Sequence, residues 1–116
     1  MIKNSYQFGF ELRHLRSFLV IAEELSFRKA AERLHVAQPA LTRQIAQLEE
    51  SLCCQLFDRQ KRKIQLTPAG EYLQGKAPYL FDMLAETAMQ TRSVAEGRSV
   101  ILRIGFSSAA MSCFLP

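Results

Sequence analysis

The chain has 116 residues, of which 48% are hydrophobic, so it can form one folded domain with an appendage but not two full domains. It carries 15 basic and 11 acidic side chains, a net charge of +4. No segment reaches the roughly 18 consecutive apolar residues of a membrane helix, and the N-terminus lacks the apolar run of a signal peptide. We therefore expect a cytoplasmic protein that does not contact a membrane.

The three cysteines are Cys53, Cys54 and Cys113. Adjacent cysteines have poor geometry for bridging each other, and none of the three has a Cys-x-x-Cys or histidine partner at metal-ligand spacing. We expect no metal and no cofactor. No nucleophile is paired with a base and no glycine loop could hold a phosphate, so we do not expect an enzyme.

The positive charge is concentrated in one part of the chain. Residues 26–66 contain eight basic and four acidic side chains, whereas the charges before and after this segment cancel. A local excess of this kind is typical of nucleic-acid binding, although a solvated basic face without a partner is the simpler alternative.

Residues 1–11 show no periodicity and are predicted to form a flexible lead. A first helix is then predicted from Arg13 to Leu25, because apolar residues recur at helical spacing. Its apolar face consists of Leu12, Leu15, Phe18, Leu19, Ala22 and Leu25.

The segment from Ser26 to Leu52 predicts two short helices set at an angle. Ser26 can cap the first helix, and Ala30 and Ala31 allow a close helix crossing. Leu34 and Val36 are the expected apolar anchors on either side of His35.

Pro39 suits the start of the second helix. One face of this helix is predicted to be buried, because Leu41, Ile45, Leu48 and Leu52 recur with its period. The opposite face carries the polar side chains Gln38, Thr42, Arg43 and Gln47. These residue types can hydrogen-bond to base edges, so the pattern predicts a helix-turn-helix with a recognition helix.

Residues 56–67 alternate with a period near two around a basic turn, which predicts a β-hairpin, or wing. Its tip holds Lys61, Arg62 and Lys63, with Arg59 just before it. Cations at such a tip can meet a sugar-phosphate backbone or a narrow minor groove, and a charged turn that only aids solubility is the alternative.

Thr67 and Pro68 predict the start of a long helix that continues to about Glu96 and ends at Gly97. Its apolar face is longer than the small domain can cover, so we expect it to pair with a second copy. Pro78 lies inside this pattern and predicts one kinked helix rather than two. Beyond Gly97, residues 100–105 resemble a first strand whose partner strands are missing.

Taken in order, LRHLRSFLVIAEELSFRKAAERLHVAQPALTRQIAQLEESL, LFDRQKRKIQLTPAGEYL and LRIGFSS resemble the LysR-type transcriptional regulators of bacteria. The resemblance implies a mainly α fold, a winged helix-turn-helix followed by a long linker helix that pairs in a dimer. It divides the chain into a lead (1–11), a DNA-binding domain (12–67), a linker and dimerisation helix (68–97) and the start of a truncated α/β effector-binding domain (98–116).

The resemblance also assigns roles to residues. By position, Gln38, Pro39, Thr42 and Arg43 would face bases in the major groove, while Arg59 and Arg62 would meet the backbone or minor groove. The wing-tip lysines Lys61 and Lys63 are expected on chemical grounds to add affinity for DNA without sequence preference. Ser107 and Ser108 match serines that help to bind a small anion in the family. Because the rest of that pocket is missing, no small-molecule effector is expected for this chain.

Three residues depart from the family pattern, one before the recognition helix and two after it. Ala37 replaces a serine that could cap the recognition helix or hold a phosphate. Cys53 and Cys54 replace Gly-Val after that helix, so a residue with a Cβ would have to adopt the left-handed C-cap conformation, at some local strain.

The leading hypothesis is sequence-specific binding of dyad-symmetric, double-stranded promoter DNA as a homodimer through the linker helix, with tetramers possible in the full-length protein. The alternative is a dimerisation module that pairs with a full-length regulator and modulates it without specific DNA binding of its own.

Overall fold

The computed structural model describes residues 8–60 and 62–97. Lys61, Ser107, Ser108 and the predicted strand after Gly97 lie outside the described residues. Four helices and one two-stranded sheet follow in the order α1 (Leu12–Glu24), α2 (Phe27–Leu34), α3 (Gln38–Leu52), β1 (Phe57–Asp58), β2 (Gln65–Leu66) and α4 (Pro68–Ala95). The predicted fold class, a mainly α winged helix-turn-helix with a long helix behind it, is confirmed.

The chain divides into two compact units, the first ending at Gln74 and the second beginning at Gly75. The core of the first unit joins the three short helices to the base of the wing. Its buried apolar residues are Leu15, Phe18, Ile21, Ala22, Ala30, Ala31, Leu41, Ile45, Leu48, Leu56 and Phe57. Ala30 and Ala31 are fully or almost fully buried, as expected at a close helix crossing.

Aromatic contacts connect the wing to α1 and α2. The Phe57 ring lies 5.4 Å from that of Phe18 and 5.8 Å from that of Phe27, the latter edge to face. Aromatic pairs of this kind contribute about 0.5–1.5 kcal/mol each beyond the area they bury. A further link joins α1 to α3, because the Ser17 hydroxyl donates to Gln44 Oε1 at 2.6 Å.

Several residues at the helix ends are more exposed than the periodicity predicted. Leu12, Leu25, Val36 and Leu52 all stand in solvent, whereas Ile21, which the predicted apolar face omitted, is fully buried. In the sequence, apolar residues keep the helical spacing up to and beyond the ends of a helix. The neighbouring helices, however, cover only the central turns of that helix.

The N-terminal cap of α2 forms as predicted, because Lys29 N donates to Ser26 Oγ at 3.1 Å. The C-termini of the first three helices are unusual. Leu25, His35 and Cys53 all adopt the left-handed conformation, with φ of 50°, 58° and 58°. None is a glycine, so each turn carries the steric cost of a Cβ in this region. The predicted left-handed C-cap at Cys53 is therefore confirmed.

The wing is a short antiparallel hairpin in which Phe57 pairs with Leu66 and Asp58 with Gln65. Thr67 closes its base, since its hydroxyl donates to the Gln55 carbonyl at 2.7 Å and accepts from Gly70 N at 3.0 Å. The first turn of α4 lies so close to this base that a Cβ at Gly70 would collide with the Leu56 carbonyl. The predicted helix start at Thr67 and Pro68 is confirmed.

Helix α4 is assigned as one element from Pro68 to Ala95 and includes Pro78. The prediction of one helix rather than two is confirmed, and the kink stays a prediction. The predicted end also holds, because Gly97 has a φ of 82°. Large apolar side chains remain exposed along α4, among them Tyr79, Leu80, Met83, Leu84 and Val94.

The left-handed conformation of Cys53 leads to a test. Cys53→Gly should raise the free energy of unfolding by about 0.5–1 kcal/mol, because it removes the Cβ from a backbone region that favours glycine. Cys54→Gly is the matched control, since Cys54 has no positive φ and should lose a similar amount through the entropy of the unfolded chain. Urea unfolding of both variants measures the difference. Equal destabilisation would contradict the prediction.

His14 predicts a pH dependence of stability. Its side chain is buried and its Nδ1 accepts a hydrogen bond from Glu11 N at 3.1 Å. Desolvation lowers the pKa of His14 below its usual 6.5, although the Glu11 carboxylate opposes the effect and Arg13 adds to it. Below pH 6.5 the unfolded chain therefore binds more protons than the folded one, and stability should fall on acidification.

The measurement is the urea midpoint at pH 7 and at about pH 5.5, a value below the ordinary histidine pKa. The His14→Gln variant keeps an acceptor but cannot gain a proton, so its midpoint should fall less than that of the wild type. An equal fall in both proteins would show that other groups cause the acid sensitivity.

Candidate nucleic-acid interface

The predicted base-facing residues occupy the start of α3. Leu41, Ile45 and Leu48 are fully buried on the inner face of this helix. The outer face exposes the predicted set Gln38, Pro39, Thr42 and Arg43. The helical period thus separates core residues from these four polar or ring-bearing side chains, which stand together in solvent.

The start of α3 differs slightly from the prediction. The helix begins at Gln38, so Pro39 occupies the second helical position rather than the first. Ala37 is the N-cap and has an extended backbone. Its methyl side chain cannot accept a hydrogen bond from the first amide groups of the helix. The missing hydroxyl at Ala37 therefore leaves the end of the helix open to another acceptor.

Gln47 lies on the same outer face, but it is engaged within the protein. Its Nε2 donates to the Gly9 carbonyl at 2.8 Å, and a Cβ at Gly9 would collide with the Ser51 hydroxyl. The end of the lead thus contacts the later turns of α3. Sequence periodicity could not show this contact, because it joins residues 38 positions apart.

The wing presents cations beside α3. Arg62 and Lys63 are exposed and follow a turn in which the Asp58 carboxylate accepts from Gln60 N at 3.1 Å. In the described part of the wing, neither cation forms an ion pair. Both are therefore available for an anion outside the protein.

Ion pairs within the domain neutralise other members of the basic segment. Arg33 donates to Glu23 Oε1 at 2.7 Å and to Glu24 Oε2 at 3.0 Å, and these hydrogen bonds raise its pKa above the ordinary value. Arg28 pairs with Glu32 one helical turn later. The described basic residues of the segment without an ion pair are Lys29, Arg43, Arg62 and Lys63. Fewer cations of this segment are thus available to an outside anion than the sequence indicated.

Arg59 lies in a different environment from the wing-tip cations. Its guanidinium lies 3.4 Å from Glu49 Oε1 and 3.3 Å from Gln55 Oε1, and 5.5 Å from the centre of the Phe27 ring. It also borders a shallow depression with Gln38 and Thr42 at the start of α3. The resemblance assigns Arg59 to the DNA backbone or minor groove, and this assignment stays a prediction.

Sequence reasoning missed Glu49. Although Glu49 and Glu50 are adjacent and chemically identical, Glu49 is only 8% exposed and Glu50 faces solvent. Glu49 Oε2 accepts from Leu56 N at 2.8 Å. Its position one residue after the buried Leu48 was the available signal, since that places it at the edge of the apolar face.

The helices and the wing together define the class of protein. The last of three short helices is exposed on its outer face, and a two-stranded wing with unpaired cations follows it. This is the arrangement of a winged helix-turn-helix DNA-binding domain. No described group of three or more His, Cys, Asp or Glu residues could hold a metal ion. None of the helices in the described ranges has both the length and the hydrophobicity of a membrane span.

The model of the bacterial regulatory helix-turn-helix proteins of the lysR family matches residues 12–71, and the chain belongs to this family. Among curated relatives, BenM of Acinetobacter baylyi is 42% identical over 106 residues, covering 91% of this chain and 34% of BenM. AlsR of Bacillus subtilis is also 42% identical over 106 residues, covering 91% of this chain and 35% of AlsR. The chain thus spans about a third of the length of these relatives.

Solved structures give the same result. The BenM DNA-binding domain in complex with catB site 1 DNA has a TM-score of 0.68 at 43% identity, covering 76% of this chain and 95% of that domain. Vibrio fischeri DarR in complex with DNA has a TM-score of 0.69 at 32% identity, covering 77% of this chain and 30% of DarR. The described fold is therefore that of the DNA-binding helix-turn-helix domain of LysR-type regulators, and the relatives are named as transcriptional regulators rather than enzymes.

Proposed function

We propose that this chain binds dyad-symmetric promoter DNA as a dimer and is the DNA-binding part of a transcriptional regulator that acts in the cytoplasm. It is supported by exposed cations without an ion pair on both the outer face of α3 and the wing, whose Ile64 lines one depression with Gln38 and Thr42. Arg43 stands on that face of α3, and Arg62 and Lys63 stand on the adjacent wing. DNA complexes of the relatives BenM and DarR support it.

Within this proposal, the first turns of α3 enter the major groove. Gln38 can pair with adenine N6 and N7, and Arg43 with guanine O6 and N7. The Pro39 ring or the Thr42 methyl group can contact a thymine methyl group. Arg62, Lys61 and Lys63 would meet the backbone or minor groove, where lysines add affinity without sequence preference.

The dimer would form through α4. Its exposed apolar residues, with Met83 at 65% exposure and Leu84 at 46%, would be costly to leave in water along a helix of 28 residues. A second copy can cover them and would place two recognition helices on one DNA molecule. The same surface supports the second candidate, a module that pairs with a full-length regulator without specific DNA binding of its own.

The first test separates base recognition from general attraction to DNA. A duplex is selected from random DNA with the wild-type chain. Arg43→Ala should weaken binding to this duplex by about 1–3 kcal/mol, roughly 5- to 150-fold, while binding to a random duplex changes little. Dissociation constants at several salt concentrations measure both.

Lys63→Ala is the matched control, because it removes a cation from the wing rather than from α3. It should weaken binding to both duplexes alike and reduce the slope of log affinity against log salt by about 1. An equal loss on both duplexes for Arg43→Ala would contradict its role in base recognition.

The second test concerns the dimer. Leu84→Lys places a charge within the exposed apolar residues of α4 and should convert the dimer to a monomer, which sedimentation equilibrium detects. Asp82→Lys introduces the same side chain two positions earlier, on the opposite face of the helix, and should leave the dimer intact. Dimers of unchanged stability in both variants would show that the exposed apolar residues of α4 do not form the dimer interface. Heterodimers with a full-length relative, combined with no selected duplex, would favour the second candidate.

A further inference from the structure

Glu49 is the acidic side chain of α3 that turns inward. One carboxylate oxygen, Oε2, accepts from Leu56 N at 2.8 Å and from Phe57 N at 3.4 Å. The other, Oε1, accepts from both terminal nitrogens of Arg59 at 3.4 Å. One buried carboxylate therefore connects the last turns of the recognition helix to both the backbone and a side chain of the wing.

Arg59 completes this contact from the wing. Its guanidinium lies 5.5 Å from the centre of the Phe27 ring and 6.0 Å from that of Phe57. Cation–π contacts at such distances, together with the Glu49 carboxylate, hold the planar group in one orientation. Phe27 starts α2 and Phe57 lies in β1, so the guanidinium touches three elements at once. It lies two residues before Lys61, the first of the three cations at the tip of the wing.

We propose that Glu49 and Arg59 are positioning residues that hold the wing against α3 and thereby set where the wing-tip cations meet DNA. The inference rests on the proposed DNA binding by α3 and the wing. Arg59 then acts through Arg62 and Lys63, and the DNA contact that the resemblance assigned to it is not needed.

If Arg59 contacted DNA directly, loss of the Glu49 charge would change DNA affinity in the opposite direction. If Arg59 contacted a phosphate, loss of the Glu49 charge would free its guanidinium and remove a nearby negative charge, so affinity would rise. If the pair positions the wing, loss of that charge lowers affinity. Glutamine suits this test because it keeps the size of the side chain but has only one acceptor oxygen. This oxygen can replace Oε1 or Oε2 but not both, so the NH2 group at the other position faces a donor, either the Leu56 amide or Arg59.

The experiment measures binding of the full chain to the duplex selected from random DNA, before and after Glu49→Gln. Glu50→Gln is the matched control, since it removes the same charge from the exposed neighbouring residue. We expect Glu49→Gln to weaken binding about tenfold, and Glu50→Gln to leave it unchanged or slightly tighter. Circular dichroism and urea unfolding confirm that both variants are folded.

Arg62→Ala added to each protein tests whether the effect passes through the wing. In the wild-type and Glu50→Gln proteins it should weaken binding about tenfold, and in Glu49→Gln less than about threefold, because the tip is already displaced. Tighter binding by Glu49→Gln, or an Arg62→Ala loss that is the same in all three proteins, would overturn the proposal.

A measurement without DNA separates this proposal from the function it rests on. Backbone 15N relaxation should show larger amplitudes of motion for residues 62–65 in Glu49→Gln than in Glu50→Gln or wild type. Unchanged amplitudes would overturn the positioning role, whatever the DNA result. If the wild-type chain selects no duplex while the wing loosens as expected, the proposed function fails and the hold of Glu49 on the wing stands.

Discussion

Burial of Phe57 is the interaction on which the DNA-binding arrangement depends. Its ring contacts Phe18 of α1 and Phe27 of α2, so a strand of only two residues is anchored in the helical core. A two-stranded hairpin is marginally stable by itself in water. The aromatic cluster supplies what the few hydrogen bonds of the ladder cannot, and it gives the wing a fixed base from which its cations project.

Electrostatics within the domain separates two kinds of cation. Arg33 and Arg28 are used to join or strengthen helices through carboxylates, at surface positions where each pair contributes only modestly to stability. Arg43, Arg62 and Lys63 have no such partner in the described residues. The net charge of +4 is small, and in the described part of residues 26–66 only these three cations and Lys29 are not neutralised by a carboxylate.

Much of this fold could be predicted from the sequence, because its central signals are local. Ser26, Thr67 and Gly97 mark helix ends by their own chemistry, and the period of Leu41, Ile45 and Leu48 identifies a buried face without knowledge of the partner. The period is less informative at its margins, because it includes Leu52, which is exposed, and places Glu49 only at the edge of the buried face, although Glu49 is 8% exposed. Both depend on where neighbouring elements stop, and a period of 3.6 residues carries no information about that.

In the candidate interface, too, local sequence signals predict some features, and others depend on distant parts of the chain. The exposed side chains of α3 could be assigned from their position opposite the core, whereas the carboxylate partner of Arg59 and the carbonyl partner of Gln47 lie 10 and 38 residues away. An arginine in a basic segment has the same appearance in a sequence whether it faces solvent or a carboxylate. Only the fold distinguishes a cation that holds the domain together from one that is available to a partner.

The base of the wing is closed by Thr67, whose hydroxyl meets the Gln55 carbonyl, and by the first turn of α4 at Gly70. The residues that join β1 to β2 therefore form a loop with fixed ends. The entropy of closing such a loop changes slowly with its length. The tip can thus gain, lose or exchange residues at little cost to folding, so its length and charge can change while the helical core stays the same.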